Sequence, residues 1–293
     1  MDFAVFLVQC LNALQYGLLL FLVASGLTLI FGILGVINLA HGSFYMIGAY
    51  LAYALAPWAS EQFGGGFFTA IAIGIVLSVV FGYLLEWGFV SYLYQREHLQ
   101  QVLMTYGLIL VFEELRSILV GDDVHGVAPP AWLAGSVQLG SVMTYPIYRL
   151  FMSGVCVLVA LGLYLVIART RIGMAIRAGA SNREMVQSLG VDIRLLYRIV
   201  FAAGVALAVF AGMLAAPVSS VYPGMGNQVL IISFVVVVIG GIGSIRGALL
   251  ASLLVGLVDT FGKVLIPQTA GILVYVLMAA ILLWRPEGLF RAG

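Results

Sequence analysis

The 293-residue sequence is 63% hydrophobic and only 9% charged, with 13 basic and 12 acidic residues and a mean hydropathy of +1.15. A soluble domain carries about 25% charged residues, so this composition excludes a soluble globular protein. Apolar stretches long enough to cross a bilayer core of roughly 30 Å recur along the chain and are apolar on every side, which excludes an outer-membrane barrel. The sequence therefore predicts an all-α polytopic membrane protein with a single transmembrane domain over residues 1–293.

The apolar stretches predict eight or nine crossings. The first stretch is long enough to span, and we expect it to remain in the mature chain. Residues 228–264 are too long for one ordinary span and are interrupted by "GGIGSIRG", so they form either two shorter helices joined by a tight turn or one span with a re-entrant half. The remaining predicted spans are residues 8–32, 42–58, 67–90, 101–120, 147–168, 195–216 and 270–285.

The distribution of basic residues predicts the orientation. If residues 169–194 are cytoplasmic and residues 228–264 cross twice, ten of the thirteen Lys and Arg residues lie on the cytoplasmic side. This arrangement has nine crossings, with the N-terminus outside and the C-terminus in the cytoplasm. The connection over residues 121–146 is then extracytoplasmic, either as a loop lying over the outer mouth or as a plain linker.

Charge is concentrated between residues 169 and 198, which hold eight of the 25 charged residues. Within this stretch Ser181 and Glu184 match an S-x-x-E capping box, and Gly190 is placed to end a helix. Asp192 suits the N-cap of the following span. The sequence therefore predicts a separately capped helix of about two turns between two membrane helices.

The short helix has a predicted apolar side made by Met185, Val186 and Leu189. A helix this short is marginal in water, so it must dock against something. One interpretation is a docking element for a cytoplasmic partner. The other is an ordinary positively charged cytoplasmic loop, and the residues by themselves leave both open.

Four stretches in order carry a family resemblance: "INLAHGSFYMIGAYLAY", "GMAIRAGASNREMVQSLGVDI", "VIGGIGSIRGALLASLLVGL" and "RPEGLF". They resemble the branched-chain amino acid permeases of the LivH and LivM type, with LivH the closer. The spacing of Glu184 and Gly190 also resembles the E-A-A-x-x-x-G loop of permease subunits of binding-protein-dependent ABC importers, although Met185 and Val186 replace the two alanines. The resemblance implies that this segment inserts into a cleft of a cytoplasmic ATPase. The implied coupling residues are Ser181, Asn182, Arg183, Glu184, Met185, Leu189, Gly190 and Asp192.

The resemblance also implies partners, location and cargo. The partners are a homologous permease subunit of the LivM type or a second copy of this chain, two cytoplasmic ABC ATPase subunits, an extracytoplasmic solute-binding protein and the lipid bilayer. The implied location is the bacterial inner (plasma) membrane. The implied cargo is branched-chain or other small amino acids, with urea, short amides and aromatic acids as alternatives. No nucleic-acid partner is expected.

No residue pattern in the chain predicts catalysis. A G-x-x-x-x-G-K-[ST] phosphate loop is missing from the sequence, and the three histidines are far apart without neighbouring cysteines or carboxylates at ligand spacing. We therefore expect no nucleotide, metal or other cofactor site and no enzymatic activity in this subunit. An ion-coupled secondary transporter or a channel remains the alternative class, because some carboxylates lie within predicted spans.

Those carboxylates have predicted partners. Glu113 and Arg116 are spaced to pair on one helix, whereas Glu114 points about 100° away and is expected to meet a buried partner or a cavity. Glu86 continues a small-residue stripe and is expected to bond a neighbouring helix or Arg96. That stripe is Ala70, Gly74, Ser78 and Gly82, and a second one is Ala248, Ser252, Gly256 and Thr260, beside Asp259.

Broken helices and polar helix ends are the candidates for a substrate path. One group opens the second span and another interrupts residues 228–264, while Glu114 lies within the predicted span over residues 101–120. Each group has an ordinary alternative as a polar span end or a simple glycine turn. The candidate path residues are Asn38, His41, Ser43, Glu114, Gly240, Gly241 and Gly243.

Overall fold

The computed structural model describes residues 3–63, 66–139 and 143–290, and these ranges form eleven α-helices and one β-hairpin. The helices are α1 (Phe3–Leu34), α2 (His41–Phe63), α3 (Gly66–Gly88), α4 (His98–Val120), α5 (Ile147–Arg169), α6 (Arg171–Ser181), α7 (Arg183–Ser188), α8 (Ile193–Ala215), α9 (Met225–Gly240), α10 (Ile245–Leu265) and α11 (Ala270–Trp284). Short 3₁₀ turns occur at Val90–Leu93 and Ala131–Leu133. The hairpin pairs β1 (Ser136–Leu139) with β2 (Met143–Pro146) in antiparallel register.

The predicted helical membrane fold is confirmed. Five helices, α1, α3, α5, α8 and α10, are long and apolar enough to cross a membrane, and α9 and α11 are shorter apolar helices. Every predicted span coincides with a helix whose ends differ by a few residues. The hairpin was not predicted, because two four-residue strands give too little alternation to distinguish them from the loop over residues 121–146.

Residues 228–264 contain two helices joined by a tight turn, one of the two predicted arrangements. The break follows Gly240, and Gly241 has a φ of 94°, which favours glycine. The hydroxyl oxygen of Ser244 then accepts the N–H of Gly247 (3.1 Å) and caps α10. The positive φ of Gly241 ends the first helix and the Ser244 cap begins the second, so the long apolar segment is divided into two helices.

Helix α8 lies at the centre of the bundle and packs against α1, α2 and α3. Its contact with α2 is a close backbone approach, because a methyl group on Gly48 would overlap the carbonyl oxygen of Val209 and one on Gly212 would overlap that of Tyr45. The α3 stripe meets a neighbouring backbone, as predicted, and that neighbour is α8: a Cβ on Gly82 would lie 2.9 Å from Cα of Ala202. Small residues thus set the distance between these helices.

The second small-residue stripe also lies in a helix contact. Helix α10 packs along α1, and a Cβ on Gly256 would lie 2.6 Å from the carbonyl oxygen of Ala13. Asp259 beside this stripe pairs with Lys263, whose Nζ lies 2.6 Å from the carboxylate. The stripe predicted from four-residue spacing is therefore a packing surface, and its acidic neighbour has a partner on the same helix.

Glu86 joins three parts of the fold. Its buried carboxylate accepts the hydroxyl of Tyr94 (2.6 Å) and lies 3.3 Å from Nε of Arg198 on α8. The predicted bond to a neighbouring helix is confirmed, and the partner is Arg198 rather than Arg96. The carboxylate therefore connects α3 to the first turns of the central helix.

Substituting Glu86→Ala should lower the free energy of unfolding by roughly 1 to 3 kcal/mol, because the partly buried hydroxyl of Tyr94 would lose its acceptor and Arg198 its ion-pair partner. Glu86→Gln should cost less, since an amide can still bond Tyr94. Thermal unfolding of the detergent-solubilised protein measures the difference. An alanine variant as stable as the unmodified chain would contradict a stabilising role for this pair.

Candidate functional site

The charged segment contains one more helix than the sequence predicted. Helix α6 follows α5 after one residue, and the hydroxyl of Thr170 accepts the N–H of Gly173 (3.1 Å) at its start. The guanidinium of Arg177 donates to the carbonyl of Ile167 at the end of α5. Helix α6 was not predicted, because glycines and arginines, which are common in charged cytoplasmic loops, recur along it.

Helix α7 begins one residue later than predicted. The side-chain oxygen of Asn182 accepts the N–H of Met185 (3.0 Å), so Asn182 is the N-cap. Ser181 is the last residue of α6, and the predicted Ser181–Glu184 capping box is wrong. An N-cap needs an extended backbone, which Asn182 has with φ −152° and ψ 100°, whereas Ser181 is already helical.

The end of α7 agrees with the prediction. Gly190 has a φ of 84°, its N–H bonds the carbonyl of Gln187 (3.0 Å), and the N–H of Val191 bonds the carbonyl of Val186 (3.3 Å). This pair of bonds is a Schellman motif. The carboxylate of Asp192 then accepts the N–H groups of Arg194 and Leu195, which confirms it as the N-cap of α8.

The two candidate caps can be separated by substitution. Asn182→Ala should destabilise α7 by about 1 kcal/mol, because the N–H of Met185 loses its partner, whereas Ser181→Ala should have little effect. Hydrogen exchange at the amide of Met185 measures the opening of the first turn. Faster exchange in Ser181→Ala than in Asn182→Ala would show that Ser181, and not Asn182, caps α7.

The apolar side chains of α7 point in two directions, so the prediction of one shared side is wrong. Val186 is 5% exposed, whereas Met185 and Leu189 are 59% and 76% exposed. Val186 turns inward under the Schellman motif, and Met185 and Leu189, four residues apart, stack on the outer side. Glu184 is also exposed, and the side chain of Arg183 lies outside the described residues. Helix α7 thus presents two large apolar side chains and a carboxylate away from the bundle.

The polar group at the start of α2 lies deep in the bundle. Nε2 of the buried His41 donates to the carbonyl of Val23 (2.9 Å), which lies eleven residues before the end of α1 and so about 16 Å along its axis. The connection over residues 35–40 is non-helical, and Thr105 of α4 donates to the carbonyl of Ile37 (3.4 Å). The backbone therefore enters the bundle without helical bonding, and α2 starts near its middle.

The first polar group is enclosed by protein. Asn38, His41 and Ser43 are at most 4% exposed, and neither Nδ2 of Asn38 nor Nδ1 of His41 has a hydrogen-bond partner within residues 3–63, 66–139 and 143–290. The adjacent Gly42 touches Gly226 in the first turn of α9, where a methyl group would overlap the facing carbonyl. Two helix N-termini thus meet at this depth.

The predicted path residues do not form one site. The turn containing Gly240, Gly241 and Gly243 packs against the C-terminal segment, since the N–H of Phe290 bonds the carbonyl of Gly240 (3.1 Å). A Cβ on Gly32 would lie 2.7 Å from Cα of Gly243, so this turn lies near the end of α1, away from His41.

Glu114 lies in a third place, on α4. Its side chain is exposed, which contradicts the predicted buried partner or cavity within this chain. Burial of a side chain on a peripheral helix depends on neighbouring elements, which helical spacing does not specify.

A cavity of about 600 Å³ between α2, α3 and α4 was not predicted. Its lining is mainly apolar, with Tyr50, Ser78 and Arg116 as polar members. Arg116 lies 3.5 Å from Glu113, which confirms that pair, and its Nη1 donates to Asp122 (2.7 Å). The hydrogen bond from Arg116 lowers the pKa of Asp122 below its usual value. The sequence signal for this cavity was limited to the Glu113 and Arg116 spacing.

Comparison with known proteins places these features in a family. Residues 9–282 match the family described as the branched-chain amino acid transport system permease component. The chain is 32% identical to the permease protein BraD of Pseudomonas aeruginosa, with 97% of this chain and 95% of BraD covered. It is 27% identical to LivH of Escherichia coli, covering 98% of this chain and 96% of LivH, and 28% identical to LivM of the same organism, covering 90% and 66%. The chain belongs to the family of branched-chain amino acid transport system permease components.

Proposed function

We propose that this protein is the permease subunit of a binding-protein-dependent ABC importer that moves branched-chain amino acids, or other small amino acids, into the cell. The observation that carries the proposal is the family match over residues 9–282, supported by the names of the relatives, which are permeases of branched-chain amino acid transport systems. The two outward-pointing apolar side chains of α7 and its charged surroundings fit the ATPase-docking role.

Nine crossings with the N-terminus outside and the C-terminus in the cytoplasm agree with the contacts at both ends of the bundle. At one end the N–H of His125 bonds the carbonyl of Val221 (2.9 Å), which joins the loop after α4 to the connection between α8 and α9. At the other end the N–H of Leu289 bonds the carbonyl of Ile239 (2.8 Å). The latter end also holds the basic segment after α5, which favours a cytoplasmic assignment.

The proposed complex contains a second permease, two cytoplasmic ATPase subunits and an extracytoplasmic binding protein, in the bacterial inner membrane. Since the chain resembles both LivH and LivM along most of its length, we infer a pair of related permeases. The coupling surface consists of Met185, Leu189 and Glu184, while Asn182, Gly190 and Asp192 maintain its backbone. Ser181 and Arg183 flank that surface.

The geometry of α7 and α8 suggests how the energy of ATP reaches the membrane. Asp192 caps α8 two residues after Gly190, so a push on α7 acts on the first turn of the central helix. Helix α8 contacts α1, α2 and α3, and Glu86 bonds Arg198 in its second turn. A tilt of α8 would therefore change its contacts with α2, whose N-terminus lies at mid-depth beside α9. We infer that this junction opens and closes during alternating access.

The cargo can be tested through the binding protein that associates with the complex. We expect the purified binding protein to hold leucine, isoleucine or valine, and calorimetric titration to show tighter binding of these than of urea, short amides or aromatic acids. A binding protein that recognises one of those other compounds would contradict the proposed cargo but not the assignment to the ABC importers.

A further inference from the structure

Helix α4 carries an exposed stripe that its own chain leaves uncovered. The stripe, called here the Glu114 face, consists of Leu103, Gly107, Leu110, Glu114 and Ile118, which fall within one third of the helix circumference. Leu103, Leu110 and Ile118 are 61%, 55% and 71% exposed. A Cβ on Gly107 would meet no atom within 4 Å, so the stripe also contains an open notch.

Helix α4 packs against the rest of the bundle through the side opposite the Glu114 face. Thr105, Leu108 and Phe112 are buried, and Thr105 contacts the connection before α2. Arg116 is engaged by Glu113 and Asp122. No ion pair or hydrogen bond to the carboxylate of Glu114 occurs among residues 3–63, 66–139 and 143–290.

Lipid acyl chains cannot satisfy the carboxylate on the Glu114 face. Glu114 lies six residues before the end of α4, about 9 Å inside it, and α4 is about 34 Å long. Acyl chains offer no hydrogen-bond donor, and an acidic side chain in the membrane interior is costly and usually has a polar partner. A carboxylate on the Glu114 face therefore indicates a protein neighbour.

Other exposed helices of the same chain differ in this respect. Helix α5 has no Asp, Glu, Lys, Arg or His between Arg149 and Arg169, and α11 has none along its whole length. Both helices expose mainly apolar side chains, as a lipid environment requires. The Glu114 face combines comparable exposure with a charge that lipid does not satisfy.

We propose that the second permease subunit docks on the Glu114 face and supplies a basic or hydrogen-donating side chain to Glu114. This inference rests on the proposed function, because it assumes a permease pair. The notch at Gly107 would admit a closely packed helix. A copy of this chain using the same face about a two-fold axis would bring a second carboxylate towards Glu114, so charge complementarity favours a homologous but different permease.

Photo-crosslinking in the assembled transporter tests the location. A benzoylphenylalanine residue is introduced at Ile118, or at Leu158 on α5 as a control, which is 68% exposed. We expect the Ile118 variant to crosslink to a second permease of the family, identified by mass spectrometry, and the Leu158 variant to react only with lipid. Lipid adducts alone at Ile118, a crosslink to a second copy of this chain, or a crosslink to another class of protein would each overturn the proposal.

Substitution of the carboxylate tests the chemistry. Glu114→Leu should reduce recovery of the second permease with this chain by at least about tenfold, and Glu114→Gln should reduce it less, since the amide can still accept a hydrogen bond. Unchanged recovery of the second permease with the leucine variant would overturn the proposal, and higher thermal stability of that variant would then indicate a lipid-facing carboxylate.

The two hypotheses fail in different ways. A complex with a second permease that transports with ATP but docks elsewhere would remove only the Glu114 inference. A complex that contains no second permease would contradict this inference and the proposed permease pair together.

Discussion

Replacing Met185 and Leu189 together by aspartate is expected to abolish ATP-driven uptake and to release the ATPase subunits, while the membrane bundle stays folded. Both side chains point away from the bundle, so their replacement removes little packing within the chain. Two carboxylates in place of an apolar contact would be buried without partners at the proposed ATPase interface, which costs several kcal/mol. Affinity purification measures ATPase association, and vesicle uptake measures transport.

Tyr92→Asp provides a control for this experiment. Tyr92 is 72% exposed and lies in the short connection between α3 and α4, on the same side of the proposed topology. The Tyr92 variant introduces one carboxylate outside the coupling surface, half the charge of the double variant, and should preserve most ATPase binding. If the double aspartate variant bound ATPase and transported as well as the Tyr92 variant, α7 would not be the docking element.

Adding one methyl group at Gly48 or Gly212 is expected to destabilise the bundle by more than about 3 kcal/mol. Overpacking typically costs about 1 to 3 kcal/mol, and here each methyl group would overlap a backbone carbonyl of the facing helix, which cannot rotate away. Helices α2 and α8 would have to move apart to make room for the added methyl group. Thermal unfolding in detergent and the yield of monodisperse protein measure the effect.

The matched controls are Gly154→Ala and Gly162→Ala on α5. A Cβ at either position would meet no atom within 4 Å, so only the intrinsic helix preference changes. Alanine favours helix over glycine by up to about 1 kcal/mol, and these variants should be as stable as the unmodified chain or slightly more stable. Equal destabilisation at all four glycines would contradict the close α2–α8 approach.

Local chemistry explains which features could be predicted from the sequence. The helical spans follow from apolar length, and the ends at Gly190 and Asp192 follow from backbone conformation and capping, which involve residues within a few positions. The N-cap of α7 was misplaced because α6 continues through Ser181. A serine and an asparagine are adjacent there, and only the preceding backbone decides which one caps.

Long-range packing explains what the sequence did not reveal. The depth of His41 depends on its bond to Val23, eighteen residues away on another helix, and the same residue could have opened a span at the membrane surface. Glu114 was expected to be buried because a charge in a span needs a partner. The described chain gives it none, so its environment depends on another molecule. The stripe facing α8 could be predicted because its four-residue spacing is itself a helical surface.

We expect transport through this permease to be driven by ATP that partner subunits hydrolyse. This expectation is tested by measuring uptake of labelled leucine into proteoliposomes that contain the purified complex, with the binding protein outside and ATP sealed inside. We predict uptake that requires both ATP and the binding protein and is unchanged when proton and sodium gradients are dissipated. Accumulation by the isolated chain without ATP, driven by either ion gradient, would contradict ATP-driven import and identify an ion-coupled transporter.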